Sequence, residues 1–397
     1  MVAKKMLELG RYRSVIREIH EHAVLRSAQI GAENVFDFSI GNPSVPVPQA
    51  VTDTLQQLIA ETPAEDLHAY TAAPGDPQVR QAVADYVKKA FGFPAQAKYV
   101  YMTVGAAASL AITLNALVED GDEVITLSPY FPEYKVYAQH AGAKFIEVMC
   151  AEKTFQLDPA ALENAITPNT KAVLVNSPNN PSGAVLNKES VETLFGILEA
   201  KSAQYSHPIY LISDEPYREL VYDGTEVPYL PLFYPNTIVC YSFSKALSLP
   251  GERIGYILVS PEAEEAEAVF EAVQGAGRAL GYICAPALFQ QLIRRCIGTV
   301  ADLSIYDKNR KLLYNALRQY GFEAVYPDGA FYLFVKAPEP DAYAFCEKAK
   351  QFELLFVPGD DFGYPGYVRI AYCVTTEQVR RSLPAFNKLA QLYALGE

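Results

Sequence analysis

Hydrophobic and polar positions over the first two thirds of the chain follow two alternating patterns. Short apolar runs rich in β-branched and aromatic residues predict seven strands, at residues 99–103, 123–127, 144–148, 172–176, 209–213, 237–241 and 253–259. Helical periodicity lies between them, for example at residues 106–118 and 189–201. Strands that alternate with helices favour an α/β fold in which helices flank a mainly parallel seven-stranded sheet.

The pattern changes after Pro286. A long helical stretch over residues 287–320 precedes predicted strands at 330–335 and 367–372 and a closing helix at 376–395. This order predicts a smaller α+β domain, and we expect the amphipathic stretch 14–30 to pack with it. The segment 40–48, rich in Pro and Gly, would then cross between the two parts. We therefore predict an N-terminal arm with part of the small domain at 1–48, a large domain at 49–286 and a small C-terminal domain at 287–397.

Composition narrows the function classes. The formal net charge of −13 argues against a nucleic-acid or membrane-surface partner, since such partners require a basic face. The six cysteines are scattered without a Cys-x-x-Cys pair, which argues against a disulfide framework or a zinc site. We interpret His20 and His22 as part of a solvated helix face and expect no metal. The N-terminus lacks an apolar signal-peptide core, so a cytoplasmic location is predicted.

Polar and glycine-containing motifs follow several predicted strands, where ligands bind to open parallel sheets. Gly105 follows the first strand and opens a helix, whose free backbone N–H groups suit an anion. Asn180 lies in the loop SPNNPSG after another strand, and Asp214 ends a third in SDEPY. Taken singly, these motifs are also consistent with turn geometry, an Asx-stabilised loop and a helix cap.

Lys245 lies in SFSK, directly after the predicted buried strand TIVCYSF and eight residues before Arg253. Most lysines are solvated, but burial in this position would lower the pKa of the amine and make it nucleophilic. That change is what a lysine needs to bind a carbonyl carbon covalently.

Together, these motifs resemble those of the class I/II aminotransferases, the fold-type I enzymes that use pyridoxal 5′-phosphate. The similarity includes SFSK, SDEPY, SPNNPSG, TVGAAASL and GYVRIAY, in the family's order and approximate spacing, from about residue 40 to the C-terminus. It implies that Lys245 holds the cofactor as an internal aldimine and then moves a proton at the substrate α-carbon. Asp214 would pair with the pyridinium nitrogen, and Tyr217 and Asn180 would donate hydrogen bonds to the ring's phenolic oxygen.

The resemblance also assigns the remaining contacts of the cofactor. Phe131 in SPYFPEY would stack on the ring, with Tyr130 as the alternative. The phosphate would be held by the loop Gly105, Ala106 and Ala107 and by the side chains of Ser242, Ser244 and Arg253. Both loop positions after Gly105 are alanine, so that loop can offer only backbone N–H groups. Tyr70 would reach the phosphate of the neighbouring subunit, which implies a homodimer.

Substrate contacts are implied at two positions. Arg369 would bind the substrate α-carboxylate through a bidentate fork, and Gly41, together with Asn180, would lie beside the substrate. A dicarboxylic substrate would call for a second arginine. Arg278 is the candidate for that contact, although an exposed helix residue is the favoured interpretation of it.

The implied activity is transfer of an amino group from an L-amino acid to a 2-oxo acid by a ping-pong mechanism. A carbon–sulfur lyase similar to cystathionine β-lyase is the alternative, because the same cofactor serves several bond cleavages. The effector domain of a transcription regulator is disfavoured, because only about 40 residues precede the first family motif and they show no helix-turn-helix pattern.

Overall fold

The computed structural model describes residues 2–11 and 14–396, and these residues form twelve strands. The strands are β1 Phe36–Asp37, β2 Val100–Thr103, β3 Glu123–Ser128, β4 Lys144–Met149, β5 Thr170–Asn176, β6 Tyr210–Glu215, β7 Thr237–Ser242, β8 Gly255–Val259, β9 Tyr332–Lys336, β10 Leu354–Leu355, β11 Val357–Pro358 and β12 Tyr367–Ala371.

Helices connect these strands and cover both faces of the sheets. They are α1 Lys4–Arg11, α2 Val15–Ile30, α3 Gln49–Glu61, α4 Ala64–Leu67, α5 Pro77–Phe91, α6 Ala106–Leu117, α7 Glu133–His140, α8 Pro159–Ala165, α9 Lys188–Tyr205, α10 Phe243–Ala246, α11 Ala266–Ala279, α12 Ala287–Cys296, α13 Ser304–Gln319, α14 Ala342–Lys350 and α15 Thr376–Leu392.

The main sheet has seven strands in the order β2-β8-β7-β6-β5-β3-β4. Strand β8 is antiparallel to both of its neighbours, and the other pairings are parallel. The predicted mainly parallel seven-stranded sheet is therefore confirmed. The central strands are unbroken apolar runs because both of their faces are buried. On β6, for example, Leu211 packs into the cluster on one face of the sheet and Ile212 into the cluster on the other face.

The C-terminal third builds a second layer with the N-terminal segment. Strands β11, β12 and β9 form an antiparallel sheet, while β1 pairs with β10 in parallel. Helix α2 buries Ile19 and Ala23 in a cluster with Leu355, Val357 and Phe362. These contacts join the two ends of the chain. The domain limits at residues 48 and 286 stay a prediction.

Two element boundaries predicted from the sequence were wrong. The strand expected over 253–259 begins only at Gly255, because Arg253 has a φ of +52°, which a strand does not accommodate. The single helical stretch expected over 287–320 is two helices, since α12 ends at Cys296 and Gly298 follows with a φ of +86°. Hydrophobic periodicity on both sides of that break concealed it.

The crossing segment 40–48 is held from both sides. The Tyr306 hydroxyl accepts hydrogen bonds from the backbone N–H groups of Ser44, at 2.8 Å, and Val45, at 3.2 Å. The Ser248 hydroxyl donates to the Val45 carbonyl at 2.7 Å. This irregular segment lacks the backbone hydrogen bonds of a sheet. Side chains satisfy its backbone groups in their place and thereby fix its path.

All six cysteines are free, and five of them are buried. Among residues 2–11 and 14–396, none of the helices has both the length and the apolar composition that crossing a bilayer requires.

Leu211 tests the central packing of the main sheet. Its side chain is fully buried on β6, so Leu211→Ala leaves a cavity and should lower the free energy of unfolding by about 3 kcal/mol in urea titrations. Leu232→Ala is the matched control, because 51% of Leu232 is exposed and its loss should cost less than about 1 kcal/mol. Equal losses for the two variants would contradict this packing.

Candidate active site

A cavity of about 290 Å³ lies at the carboxyl edge of the main sheet and collects most of the predicted site residues. The strands β3, β5, β6 and β7 all point their carboxyl ends to this edge because they are parallel. The predicted residues that line the cavity are Gly41, Ala106, Ala107, Phe131, Asn180, Asp214, Tyr217, Ser242, Ser244, Lys245, Arg253 and Arg369. The topology thus brings together side chains that are widely separated in the chain.

Lys245 lies in the short helix α10, immediately after β7. Its Nζ donates a hydrogen bond to the Gly41 carbonyl at 2.8 Å. Burial lowers the pKa of Lys245 to about 8, and the positive charges of Arg253 and Arg369 act in the same direction. A substantial fraction of the amine is therefore neutral and nucleophilic near pH 8.

Asp214 is a buried acid near the end of β6. The Tyr134 hydroxyl donates to its Oδ2, while Oδ1 is buried and has no hydrogen-bond partner among the described residues. Burial raises the pKa of Asp214 to about 7, against the opposing effect of the Tyr134 hydrogen bond. An unpaired buried carboxyl oxygen is costly, so this group is suited to a ligand that donates a hydrogen bond or carries positive charge.

Arg369 projects from β12 into the cavity from the opposite side. Its guanidinium contacts two aromatic rings, with the carbon at its centre 4.7 Å from the Tyr332 ring centroid and 4.8 Å from that of Phe362. Its Nη1 donates to Asn180 Oδ1 at 3.0 Å, Nη2 donates to the Ser39 carbonyl, and Nε is buried without a partner in the described part of the chain. The side chain is fixed in place yet keeps a donor for a ligand.

A cluster of hydroxyl and guanidinium donors occupies the end of the cavity beside α6. The hydroxyl oxygens of Ser242 and Ser244 lie 2.8 Å apart, and Arg253 Nη1 donates to Ser244 Oγ at 3.3 Å. Gly105 precedes the twelve-residue helix α6 with a φ of +94°, and a Cβ there would lie 2.8 Å from Arg253 Nη2. Glycine is therefore required at this position, and the helix start, the hydroxyls and the guanidinium converge on one volume suited to an anion.

Comparison with known proteins agrees with this geometry. The family model for aminotransferase class I and II matches residues 33–386. The aspartate/prephenate aminotransferase of Thermus thermophilus is 32% identical over 354 residues, which are 88% of this chain and 89% of that protein.

The chain belongs to the class I and II aminotransferase family.

Solved structures of aminotransferases share the whole architecture. One from Eubacterium rectale superposes with a TM-score of 0.97 at 51% identity, covering 99% of each chain. The aspartate aminotransferase from Thermus thermophilus with maleate gives a TM-score of 0.85 at 28% identity, covering 98% of this chain and 100% of that one. The predicted fold-type I architecture and aminotransferase activity are confirmed, and the relatives support transamination rather than the lyase alternative.

The structure distinguishes the two aromatic candidates in SPYFPEY. Phe131 of the aminotransferase lines the cavity, whereas the Tyr130 ring is buried and meets Phe145 edge-on at 5.2 Å between centroids. Of the two, Phe131 is the ring within reach of a ligand in the cavity.

Three predicted residues lie outside the cavity lining. Gly105 is directly behind it, against Arg253. Tyr70 is 98% exposed and does not line the cavity of its own chain. Arg278 is exposed in the last turn of α11 and also lies outside the lining, so the favoured interpretation of it as an exposed helix residue agrees with the structure.

Sequence reasoning missed several residues of the aminotransferase site. Tyr134 and Asn176 contact Asp214, the first through its hydroxyl and the second by donating from Nδ2 to the Asp214 carbonyl at 2.9 Å. Asn176 ends β5 and Tyr134 lies three residues after Phe131, so the position of each beside a motif was an available signal. Ile16 and Tyr332 also line the cavity, and no local pattern marks either of them.

Asp214 should make the stability of the ligand-free protein depend on pH. The unfolded chain releases this proton near pH 3.8 and the folded chain near pH 7, so the folded state binds more protons in that window and loses stability as pH rises. In urea titrations, the free energy of unfolding of the parent should fall by about 2 kcal/mol between pH 5.5 and 7.5 because of this group, and Asp214→Asn should not show that fall. The control Asp66→Asn, at an exposed carboxylate, should keep the loss. Identical pH profiles for the two variants would contradict the assignment.

Proposed function

We propose that this enzyme binds pyridoxal 5′-phosphate in the cavity at the sheet edge and transfers the amino group of an L-amino acid to a 2-oxo acid in a ping-pong cycle. The observation that carries the proposal is the convergence of the Lys245 amine, the Asp214 carboxyl and the Arg253 cluster on one cavity. Class I and II aminotransferases depend on this cofactor. When bound, pyridoxal 5′-phosphate supplies an aldehyde and an electron-accepting ring.

The unpartnered oxygen of Asp214 fits this cofactor. A protonated ring nitrogen would donate the hydrogen bond that Oδ1 lacks, and its positive charge would favour the ionised carboxylate, which burial alone disfavours. Tyr134 would keep the other oxygen in place. Asp214 would thereby hold a proton on the ring nitrogen.

The cluster at the start of α6 fits a phosphate group. Arg253 supplies a guanidinium fork, Ser242 and Ser244 supply hydroxyls, and the backbone N–H groups of Ala106 and Ala107 lie in the first turn of a twelve-residue helix. Each of these donors lines the cavity.

Tyr217 and Asn180 are suited to donate to the phenolic oxygen of the ring. The Asn180 amide oxygen already accepts from Arg369, which orients its NH₂ group away from the guanidinium. Phe131 would pack against the ring face. These contacts would hold the ring in the cavity.

Lys245 is the residue that would move the proton. Its amine would hold the cofactor through the aldehyde and, once released by the incoming amino acid, act as a base at the substrate α-carbon. With a pKa of about 8, this amine is mostly protonated at physiological pH but keeps a neutral fraction of roughly one fifth. Arg369 lines the cavity and would hold the substrate carboxylate through its guanidinium, and Gly41 leaves room beside it.

Lys245→Ala tests the proposed activity. The purified parent should be yellow and change its absorbance when an amino acid is added. The variant should lose that chromophore and at least about a thousandfold in kcat, because the cofactor anchor and the base are removed together. Lys188→Ala, at a lysine with a 74% exposed side chain, should behave as the parent. A Lys245→Ala enzyme that transaminates at the parental rate would refute the proposal.

We further propose a homodimer in which Tyr70 reaches the phosphate bound by the neighbouring subunit. The support is its exposure: Tyr70 is 98% exposed in one chain, and tyrosines are enriched at protein interfaces. A cytoplasmic location is part of the same proposal, supported by six free cysteines.

Subunit mixing tests the contribution of Tyr70. Tyr70→Ala and Lys245→Ala homodimers should both be impaired at limiting cofactor. In a mixed dimer, the Tyr70→Ala subunit keeps Lys245 and receives Tyr70 from its partner, which restores one complete site. Activity of the unfolded and refolded mixture should therefore exceed the mean of the two parents severalfold. Additive activities would place Tyr70 in its own site or in none.

A further inference from the structure

A second tyrosine hydroxyl lies against Tyr217 inside the cavity. Tyr332 begins β9, is 2% exposed and lines the cavity. Its hydroxyl oxygen lies 2.9 Å from that of Tyr217. Within residues 2–11 and 14–396, Tyr217 is its only hydrogen-bond partner.

Only one hydrogen atom can lie between two hydroxyl oxygens, so the pair has a direction. If Tyr217 donates to Tyr332, the Tyr217 hydrogen is used and cannot reach a ligand. If Tyr332 donates, the Tyr217 hydrogen is free for a second acceptor, and accepting one bond makes Tyr217 a stronger donor. A ligand oxygen that only accepts hydrogen bonds, such as a phenolate, selects the second arrangement.

The ring of Tyr332 has a separate contact with Arg369. The guanidinium carbon lies over the Tyr332 ring, 4.7 Å from its centroid, and also 4.8 Å from the centroid of Phe362. This contact uses the ring face and leaves the hydroxyl out, so a phenylalanine would preserve it.

Gly41 makes room for this arrangement. A Cβ on Gly41 would lie 1.9 Å from the Tyr332 hydroxyl oxygen, so any side chain there would displace it. The Gly41 carbonyl also accepts the hydrogen bond of Lys245. The position of Tyr332 is therefore defined by Tyr217, Arg369 and Gly41 together.

We infer that Tyr332 is a positioning residue with two separable roles: its hydroxyl directs the Tyr217 proton towards the phenolic oxygen of the cofactor, and its ring holds the guanidinium plane of Arg369. The inference rests on the proposed function, because it requires an acceptor oxygen beside Tyr217 and a carboxylate beside Arg369.

Tyr332→Phe tests the first role by spectroscopic titration. Pyridoxal 5′-phosphate bound to a lysine has a pH-dependent absorbance, and a hydrogen bond donated to the phenolic oxygen lowers the pH of its midpoint by reducing the basicity of that oxygen. Loss of the Tyr332 hydroxyl should weaken that bond and raise the midpoint by about 0.5 pH unit. Tyr217→Phe, which removes the donor itself, should raise it further. Tyr234→Phe is the matched control, because it also removes a buried hydroxyl. That hydroxyl lies outside the cavity and donates to a backbone carbonyl at a distance of 2.7 Å, so its loss should leave the midpoint unchanged.

The double variant Tyr217→Phe/Tyr332→Phe tests whether Tyr332 acts through Tyr217. Its midpoint should equal that of Tyr217→Phe alone. A Tyr332→Phe midpoint equal to the parent's, or a further shift of the same size in the Tyr217→Phe background, would overturn the first role. A parent protein without a titrating chromophore would instead overturn the proposed function and the inference with it.

The second role is read from steady-state kinetics. Tyr332→Phe keeps the ring, so KM for the amino donor should stay within about twofold, while Tyr332→Leu removes the ring and should raise KM about fivefold. Equal KM values for the two variants would overturn the second role. Thermal unfolding of each holoenzyme identifies any variant whose change reflects a loss of folding.

Discussion

Desolvation of charged groups at the carboxyl edge of the main sheet is the physical constraint on which the site depends. Asp214, Lys245 and Arg369 share one cavity, and among the described residues none of them forms an ion pair with another. Each carries the cost of burial, visible as the raised pKa of Asp214 and the lowered pKa of Lys245. Unpaired buried charges of this kind destabilise a fold, and they are typical of a site whose missing partners a ligand supplies.

Much of this arrangement could be predicted from the sequence because it is encoded locally. The seven strands of the main sheet appear as apolar runs, and Lys245, Asp214 and Asn180 each lie in or just after one of those runs, where chain topology alone brings them to the same edge. The break between α12 and α13 was missed because apolar periodicity continues across it. The late start of β8 was missed because a left-handed conformation at Arg253 has no signature in hydrophobic pattern.

The place of Tyr332 in the cavity could not be predicted from the sequence. Tyr332 lies in the buried run AFYLFV, in which an aromatic residue is ordinary core material. Its position in the cavity depends on Gly41 and Tyr217, which are far away in the chain and meet it only after folding. Arg369, on one side of the cavity, contacts the Tyr332 ring and donates a hydrogen bond to Asn180 on the other side. The two sides of the cavity are therefore joined by one hydrogen bond and one ring contact.

The pairing of β1 with β10 has a consequence for synthesis of the chain. Phe36 pairs with Leu354, so more than 300 residues must be translated before the N-terminal strand meets its partner, which takes roughly 15 to 60 seconds at ordinary elongation rates. During that time the main sheet can fold outside the ribosome while the strand Phe36–Asp37 has no partner strand. The layer that carries Arg369 and Tyr332 consequently cannot close before β9 and β12 have been synthesised.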